Sequence, residues 1–300
     1  MRVFLIGSKG QLGTDLLRVL PADTVGVDYP ECDVRSPQQI EAALSAAGPT
    51  WVINCAAQTN VDGCEQDPEQ AFAINALGAL HVARAAARAG ARVMYLSTDY
   101  VFGGAPPEGE AYTEDDRPAP VNVYGASKLA GEHLTLACNA ANLVVRTSGL
   151  YGHAGARGKG GNFVETMLRS AASGRAIRVV SDQRLSPTST AALAPRLLAL
   201  LVRGAHGVVH LAAADACSWF EFAREVFAFL RLDVDLSAVT SAEYPTVARR
   251  PTLSALQSRR LGDLDVPTCP SWREMLHEYL RTRPVQRSEP AVVAPAPGAR

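Results

Sequence analysis

The chain has 300 residues, of which 47% are hydrophobic and 20% charged, with 29 basic and 30 acidic side chains and a formal net charge of −1. This composition suits a globular α/β enzyme made of one large domain and a smaller lobe. The charge balance gives no long-range pull toward nucleic acid or an anionic membrane, so neither is expected as a partner.

The opening Met1-Arg2-Val3-Phe4-Leu5-Ile6-Gly7 is too short and too soon broken by glycine to read as a signal peptide. The most apolar stretch, Leu193 to Val202, contains Pro195 and Arg196 and cannot span a bilayer. The six cysteines form no C-x-x-C pair and read as reduced thiols, so a cytoplasmic location is expected. His206 and His210 flank a segment that reads as strand and need not converge, so no metal site is expected.

Strand and helix patterns alternate through the first half. Val3 to Ile6 is a continuous apolar run, as in a strand buried on both faces. Gln11 to Leu20 has helical apolar spacing, Thr24 to Val27 reads as a strand, and Pro37 to Ala47 as a helix capped by Ser36. Trp51 to Asn54 is a third strand, Pro68 to Ala89 a long Ala-rich helix ended by Gly90, and Arg92 to Leu96 a fourth strand. A helix from Val123 to about Asn139 and a strand from Leu143 to Arg146 follow. Such alternation predicts a Rossmann-type, doubly wound parallel sheet, with ligands bound past the carboxyl ends of the strands.

Beyond Ser148 the alternation loosens. Gly158-Lys159-Gly160-Gly161 reads as a loop, Asn162 to about Ser173 as a helix, and Arg178 to Val180 as a strand. A helix from Thr190 to Val202 is expected to return to the first domain, with Pro195 implying a kink or a late start. Val208 to Leu211, a helix Trp219 to Leu230 and a helix Ser271 to Leu280 are assigned to the smaller lobe. The expected division is a dinucleotide-binding domain at 1–148 joined by the returning helix at about 188–203. A C-terminal substrate-binding lobe at 149–187 and 204–282 and a disordered tail at 283–300 complete it.

Gly7, Gly10 and Gly13 lie between the first strand and the first helix, where glycines let the backbone approach a pyrophosphate and the helix N-terminus favours negative charge. Glycines also serve ordinary turns, and the spacing here is G-x-x-G-x-x-G rather than G-x-G-x-x-G. Asp28 ends the second strand, where a carboxylate accepts from a ribose 2′-hydroxyl and favours NADH; a turn or cap role is the alternative. Lys9 and Arg35 can offset its repulsion of a 2′-phosphate, which leaves NADPH open as well.

Thr98, within Ser97-Thr98-Asp99-Tyr100, follows the fourth strand, and Tyr124 and Lys128 project from one face of a helix. An ammonium beside a phenol stabilises its anion and lowers its pKa, and such a phenol can exchange a proton with a carbonyl oxygen. A hydroxyl at a neighbouring strand end can donate a second hydrogen bond to that oxygen.

With these motifs the chain resembles the extended short-chain dehydrogenase/reductase family. Within it, the chain is similar to the branch that reduces dTDP-4-keto-6-deoxy-L-hexoses at C4. The resemblance is carried by Gly10-Gln11-Leu12-Gly13, Asn54 to Thr59 with Val61-Asp62, Ser97 to Phe102, Asn122 to Glu132, Arg146-Thr147-Ser148, and Asn162 to Arg169. Asp182-Gln183 with Pro187-Thr188, and Tyr244 to Thr246 with Arg250-Pro251, extend it over residues 1 to 282. It implies reduction of dTDP-4-dehydro-6-deoxy-L-mannose to dTDP-L-rhamnose by NADPH or NADH. Tyr124 would protonate the oxygen, Lys128 would hold the nicotinamide ribose and lower the Tyr124 pKa, and Thr98 would bond the reacting oxygen. Gly10, Gln11 and Leu12 would line the pyrophosphate, Asp33 and Val34 the adenine side, and Ala57, Gln58 and Thr59 the rest of the cofactor. Val61, Thr98, Asp99 and Asn162 would meet the substrate, and a homodimer is one assembly the resemblance allows.

Two departures fall on the substrate side: Gly149 stands where these reductases often carry Trp, and Leu253 where they often carry Asn or Tyr. They keep open a reductase or epimerase for another nucleotide-diphosphate 4-ketosugar. A non-catalytic regulatory subunit, like the beta subunit of methionine adenosyltransferase, is a further alternative. Trp219 and Phe220 read as core of the smaller lobe, Leu129, Leu134 and Leu136 as packing, and Glu165 with Arg169 as a surface ion pair. Asp182-Gln183 reads equally as a turn or as a loop closing on the nucleotide.

Overall fold

Every residue of Val3–Ile6 is buried, and the run forms the first strand, β1. The computed structural model describes residues 1–104, 111–154 and 161–284; residues 158–160 of the expected loop and 285–300 of the expected tail lie outside them. After β1 come α1 (Gln11–Val19), β2 (Val25–Val27), α2 (Pro37–Ala47), β3 (Trp51–Asn54), α3 (Val61–Gln66) and α4 (Pro68–Phe72). A π-helical turn (Ala73–Leu77) leads into α5 (Gly78–Arg88), followed by β4 (Arg92–Thr98), a 3-10 turn (Asp99–Val101), α6 (Val123–Cys138) and β5 (Leu143–Thr147). The remainder is α7 (Phe163–Ala172), β6 (Ile177–Val180), β7 (Arg184–Leu185), α8 (Thr190–Val202), β8 (Gly207–His210), β9 (Cys217–Ser218), α9 (Trp219–Leu230), β10 (Leu236–Val239) and α10 (Trp272–Thr282).

Six strands make one parallel sheet in the order β2-β1-β3-β4-β5-β8. Alternate side chains feed two cores. Val3 and Leu5 pack with Leu16 of α1 and Leu197 of α8 on one face. Phe4 and Ile6 pack with Ile40 of α2 and Val82 of α5 on the other. Burying such side chains contributes about 1.5–3 kcal/mol each, which is why both faces must be covered by helices. The chain steps from β1 out to β2 and then back across β1 to β3, so the winding reverses beside β1. A crevice for a ligand opens at such a reversal, beyond the strand ends.

Three expectations need correction. The strand near Val208 belongs to the main sheet: Val144 and Val145 of β5 register with Val208 and Val209. A short apolar run carries no mark of its partner, so its sheet could not be read. The helix expected over 68–89 is divided by the π turn, and α3 precedes it; Ala-rich sequence favours either helical winding and hides the change. Helix α8 does not start late: it runs from Thr190 to Val202 with Pro195 inside it. Its buried Leu193, Ala194, Leu197 and Leu200 outweigh the lost hydrogen bond. Helix α8 lies against α1, where the Thr190 hydroxyl donates to Asp15 at 2.6 Å.

Beyond the main sheet lie two short two-stranded sheets, β10-β6 and β7-β9, with α7, α9 and α10 in the same part of the chain. Ser218 and Ser271 close capping boxes with Glu221 and Glu274 and fix where α9 and α10 begin.

Candidate active site

A cavity of about 900 Å³ lies past the carboxyl ends of the main sheet, lined by the expected catalytic, cofactor and substrate residues but not by Lys9 or Asp182-Gln183. The first wall is the glycine turn. Gly7 has φ +83°, a left-handed conformation that favours glycine. A Cβ on Gly13 would fall 2.1 Å from the Gly7 carbonyl oxygen, so helix and turn touch through bare backbone. Gly10 caps α1 without any side-chain bond to the first helical N–H groups. These N–H groups therefore remain available to an anion at the positive end of the helix. Gln11 has its side-chain oxygen on Gly152 N at 3.0 Å, and Leu12 is buried beside it.

The second wall follows β2. The Asp28 carboxylate accepts from the backbone N–H groups of Lys9 and Tyr29, both at 2.8 Å. Asp33 is ion-paired with Arg35 at 2.6 Å, and that guanidinium holds its carboxyl below the usual carboxylate range. Val34 is buried and packs where a Cβ on Gly78 would collide with it.

The third wall, Ala57-Gln58-Thr59, follows β3, and Asn75 fixes it. Asn75 accepts from Gln58 N at 2.9 Å and donates to Gln58 O at 3.1 Å and to the Ser127 hydroxyl at 2.9 Å. The Tyr95 hydroxyl donates to the Asn75 carbonyl at 2.8 Å. Asn75 sits in the π turn, a local winding often found at functional sites. Sequence reading missed it; a lone Asn in an Ala-rich helix was the available signal.

Thr98, Tyr124 and Lys128 converge on the same cavity from the end of β4 and from α6. Asn122 caps α6 through Gly125 N at 2.8 Å and so sets where that helix starts. The Lys128 ammonium donates to Leu96 O at 2.6 Å and lies 4.0 Å from the Tyr95 ring centroid. Burial pulls its pKa down to about 7, with Glu132 acting in the opposite direction. Tyr124 differs from expectation: burial raises its pKa, and the Thr98 hydroxyl offsets this only in part. With its ammonium held at Leu96, Lys128 leaves desolvation to dominate the phenol.

Asp99 lines the cavity, and its carboxylate accepts from the hydroxyls of Thr98 at 3.1 Å, Ser148 at 2.8 Å and Ser254 at 2.6 Å. Asn162 likewise has its amide engaged, as cap of α7 to Glu165 N at 3.0 Å and as donor to Gly152 O at 3.0 Å and the Tyr279 hydroxyl at 3.1 Å.

Val61 opens α3 at the cavity edge, and the substrate side is completed by Gly149, Leu150, Leu185, Phe163 and Trp219. Gly149 has φ +50°, and a Cβ there would lie 2.9 Å from Leu185 Cδ1, so this wall stays flat. The nearby bulk comes from Trp219, which stacks at a tilt on Phe163 with centroids 4.4 Å apart. Trp219 is therefore a cavity wall and not only lobe core, as the sequence suggested. Both rings also line an adjoining cavity of about 300 Å³ that holds Arg178, Gln183, Tyr244 and Arg250. Asp182 is tied to Ser241 at 2.8 Å, and Glu165 bonds Arg283 and Tyr279 at 2.8 and 2.7 Å. Among the described residues no group of three or more His, Cys, Asp or Glu side chains could hold a metal ion, and no helix is long and apolar enough to cross a membrane.

A doubly wound parallel sheet, a glycine turn at its winding reversal and a Thr-Tyr-Lys set beyond β4 define an extended short-chain dehydrogenase/reductase. Within that class the chain belongs to the family described as RmlD substrate binding domain, whose model matches residues 1–284. It is 40% identical over 284 residues to the dTDP-4-dehydrorhamnose reductase of Mycobacterium tuberculosis (strain H37Rv), covering 92% of this chain and 91% of that one. It is 35% identical over 285 residues to the spore coat polysaccharide biosynthesis protein SpsK of Bacillus subtilis (strain 168), covering 94% and 98%. Among solved structures, the dTDP-4-dehydrorhamnose reductase of Bacillus anthracis (strain Ames) in complex with NADP superposes with a TM-score of 0.87. That match is 37% identical and covers 93% of this chain and 98% of the other.

Proposed function

We propose that this protein is an NAD(P)H-dependent oxidoreductase that reduces the C4 ketone of dTDP-4-dehydro-6-deoxy-L-mannose to give dTDP-L-rhamnose. The observation that carries the reading is the convergence of Thr98, Tyr124 and Lys128 on one cavity with the glycine turn, in a chain 40% identical to a dTDP-4-dehydrorhamnose reductase. The cofactor fits: the cradle between Gly7 and Gly13 is one that a Cβ would fill, and the uncapped start of α1 suits a pyrophosphate. Gly10, Gln11 and Leu12 hold the pyrophosphate in this reading. Asp28, Asp33 and Val34 border the adenosine, and Ala57, Gln58 and Thr59 line the path toward the nicotinamide.

Bound NADPH or NADH supplies the hydride that adds to the C4 carbon of the sugar. Tyr124 gives its phenolic proton to the oxygen as it becomes a hydroxyl. Burial keeps that phenol neutral at physiological pH, which is the form a proton donor needs. Thr98 borders the reacting oxygen, and Lys128 holds the nicotinamide ribose from the floor of the cavity. The Phe163–Trp219 pair and Gly149 border the hexose, and the smaller cavity with Arg178 and Arg250 offers cationic partners for the diphosphate. Free thiols at all six cysteines accord with a cytoplasmic setting. Sedimentation reads the assembly, for which a homodimer is the expectation.

The purified protein with dTDP-4-keto-L-rhamnose and NADPH or NADH tests this reading. One reduced nicotinamide consumed per sugar reduced is the expected outcome. Turnover of the sugar without net cofactor consumption would assign an epimerase instead, and cofactor binding with no turnover would assign a binding subunit.

A further inference from the structure

Thr98 ends β4 and caps the short turn that follows, its oxygen accepting from Tyr100 N at 3.2 Å. Its hydroxyl proton is directed to Asp99 Oδ1 at 3.1 Å. The hydroxyl thus has one donor bond and one acceptor bond within the fold. The second oxygen of Asp99 accepts from Ser148, just past β5, and from Ser254, in the smaller lobe. Ser148 also accepts from Ser186 N at 3.3 Å, and the Ser186 hydroxyl accepts from Leu256 N at 3.4 Å. One buried carboxylate therefore gathers hydroxyls from two strand ends and the substrate lobe directly beneath the cavity.

We infer that Asp99 is a positioning residue that holds the Thr98 hydroxyl at the end of β4, and that Ser254 makes this hold depend on how the smaller lobe is seated. The inference rests on the reductase reading above. A buried carboxylate without partners would be costly, whereas this one has three donors, so its charge and its direction are set together. The three hydroxyls and a backbone N–H hold its charge, and Asp99 in turn acts on the phenols of Tyr100 and Tyr124; Arg250, which also acts on Tyr100, is paired with Asp62. Burial lifts the Asp99 pKa to about 6. Protonation below that value withdraws an acceptor from Thr98, so kcat should fall as pH drops through it.

The test is the pH profile of kcat for wild type, Asp99→Asn and Ser254→Ala. Wild type should show an acid limb near pH 6. Asp99→Asn should lose that limb and about 10–100-fold in kcat, with KM for NADPH within about twofold of wild type. Ser254→Ala removes one donor to the charged carboxylate, so the limb should move upward by about half a pH unit to one unit. An infrared titration of the Asp99 carboxyl, assigned by difference against Asp99→Asn, needs no turnover and should move the same way in Ser254→Ala. A limb and a carboxyl titration unmoved by Ser254→Ala would overturn the inference, as would a wild-type acid limb retained in Asp99→Asn. A wild type that binds NADPH but turns over no ketosugar would instead count against the reductase reading, and the infrared titration would still decide for or against the carboxylate's link to Ser254.

Discussion

The Lys128 ammonium is bonded to the Leu96 carbonyl at 2.6 Å, below the cavity and against the Tyr95 ring. The site thus holds a buried cation whose charge is lost as pH rises through about 7. An unfolded lysine keeps its proton to about pH 10.4. Between those values the unfolded chain binds more protons than the folded one, so this residue makes stability rise with pH across that window. Lys128→Met should therefore raise stability at neutral pH by about 2–4 kcal/mol and flatten its pH dependence. The same variant should abolish turnover. Urea denaturation at several pH values checks the first outcome, and a reductase assay the second.

Gly13 meets the glycine turn through bare backbone, with space for no Cβ. Gly13→Ala should force the turn and α1 apart, weaken NADPH binding about 10-fold or more and lower stability by about 1–3 kcal/mol. Fluorescence titration with NADPH measures the binding loss. Gly90→Ala is the control for loss of a glycine, since nothing lies within 4 Å of the Cβ there; with φ +69° it should cost stability but leave NADPH binding unchanged.

Asp28 follows β2 with its carboxylate on two backbone N–H groups at the cavity wall. A carboxylate there favours a ribose hydroxyl over a 2′-phosphate. Asp28→Ser should raise KM for NADH by about 10-fold and lower KM for NADPH, as steady-state rates with each cofactor would register. Equal changes with both cofactors would remove Asp28 from cofactor selection.

Trp219 is held at the start of α9 by the Ser218–Glu221 capping box and rests on Phe163 between the two cavities. Trp219→Ala should raise KM for the ketosugar by about 10-fold or more while leaving KM for NADPH within about twofold. A matched rise in both constants would make the ring a general support and not a wall of the sugar site.

The first strands were legible because a strand buried on both faces is written as an unbroken apolar run, as in Val3–Ile6 and Trp51–Asn54. Several segments lining the site were legible for a related reason: the glycine turn, Ala57-Gln58-Thr59 and Thr98 lie at strand ends, which the topology gathers. What remained hidden depends on partners far along the chain. Ser148 and Ser254 reach Asp99 across 49 and 155 positions, so nothing in Ser97-Thr98-Asp99-Tyr100 shows that the carboxylate is already engaged. The sheet that β8 joins, the π turn that carries Asn75 and the wall formed by Trp219 were hidden for the same reason. The direction of the Tyr124 shift was misjudged because sequence spacing shows a neighbouring lysine but not the depth of burial that outweighs it.

Hydride and proton delivery to one ketone is the central claim, and isotope transfer from NADPH carrying deuterium at the reactive nicotinamide position tests it most directly. Product isolated from dTDP-4-keto-L-rhamnose should carry one deuterium, at C4 of the sugar. Tyr124→Phe should still bind the cofactor but form this product about 10²–10⁴-fold more slowly. Deuterium absent from C4, or Tyr124→Phe transferring it at the wild-type rate, would contradict the account.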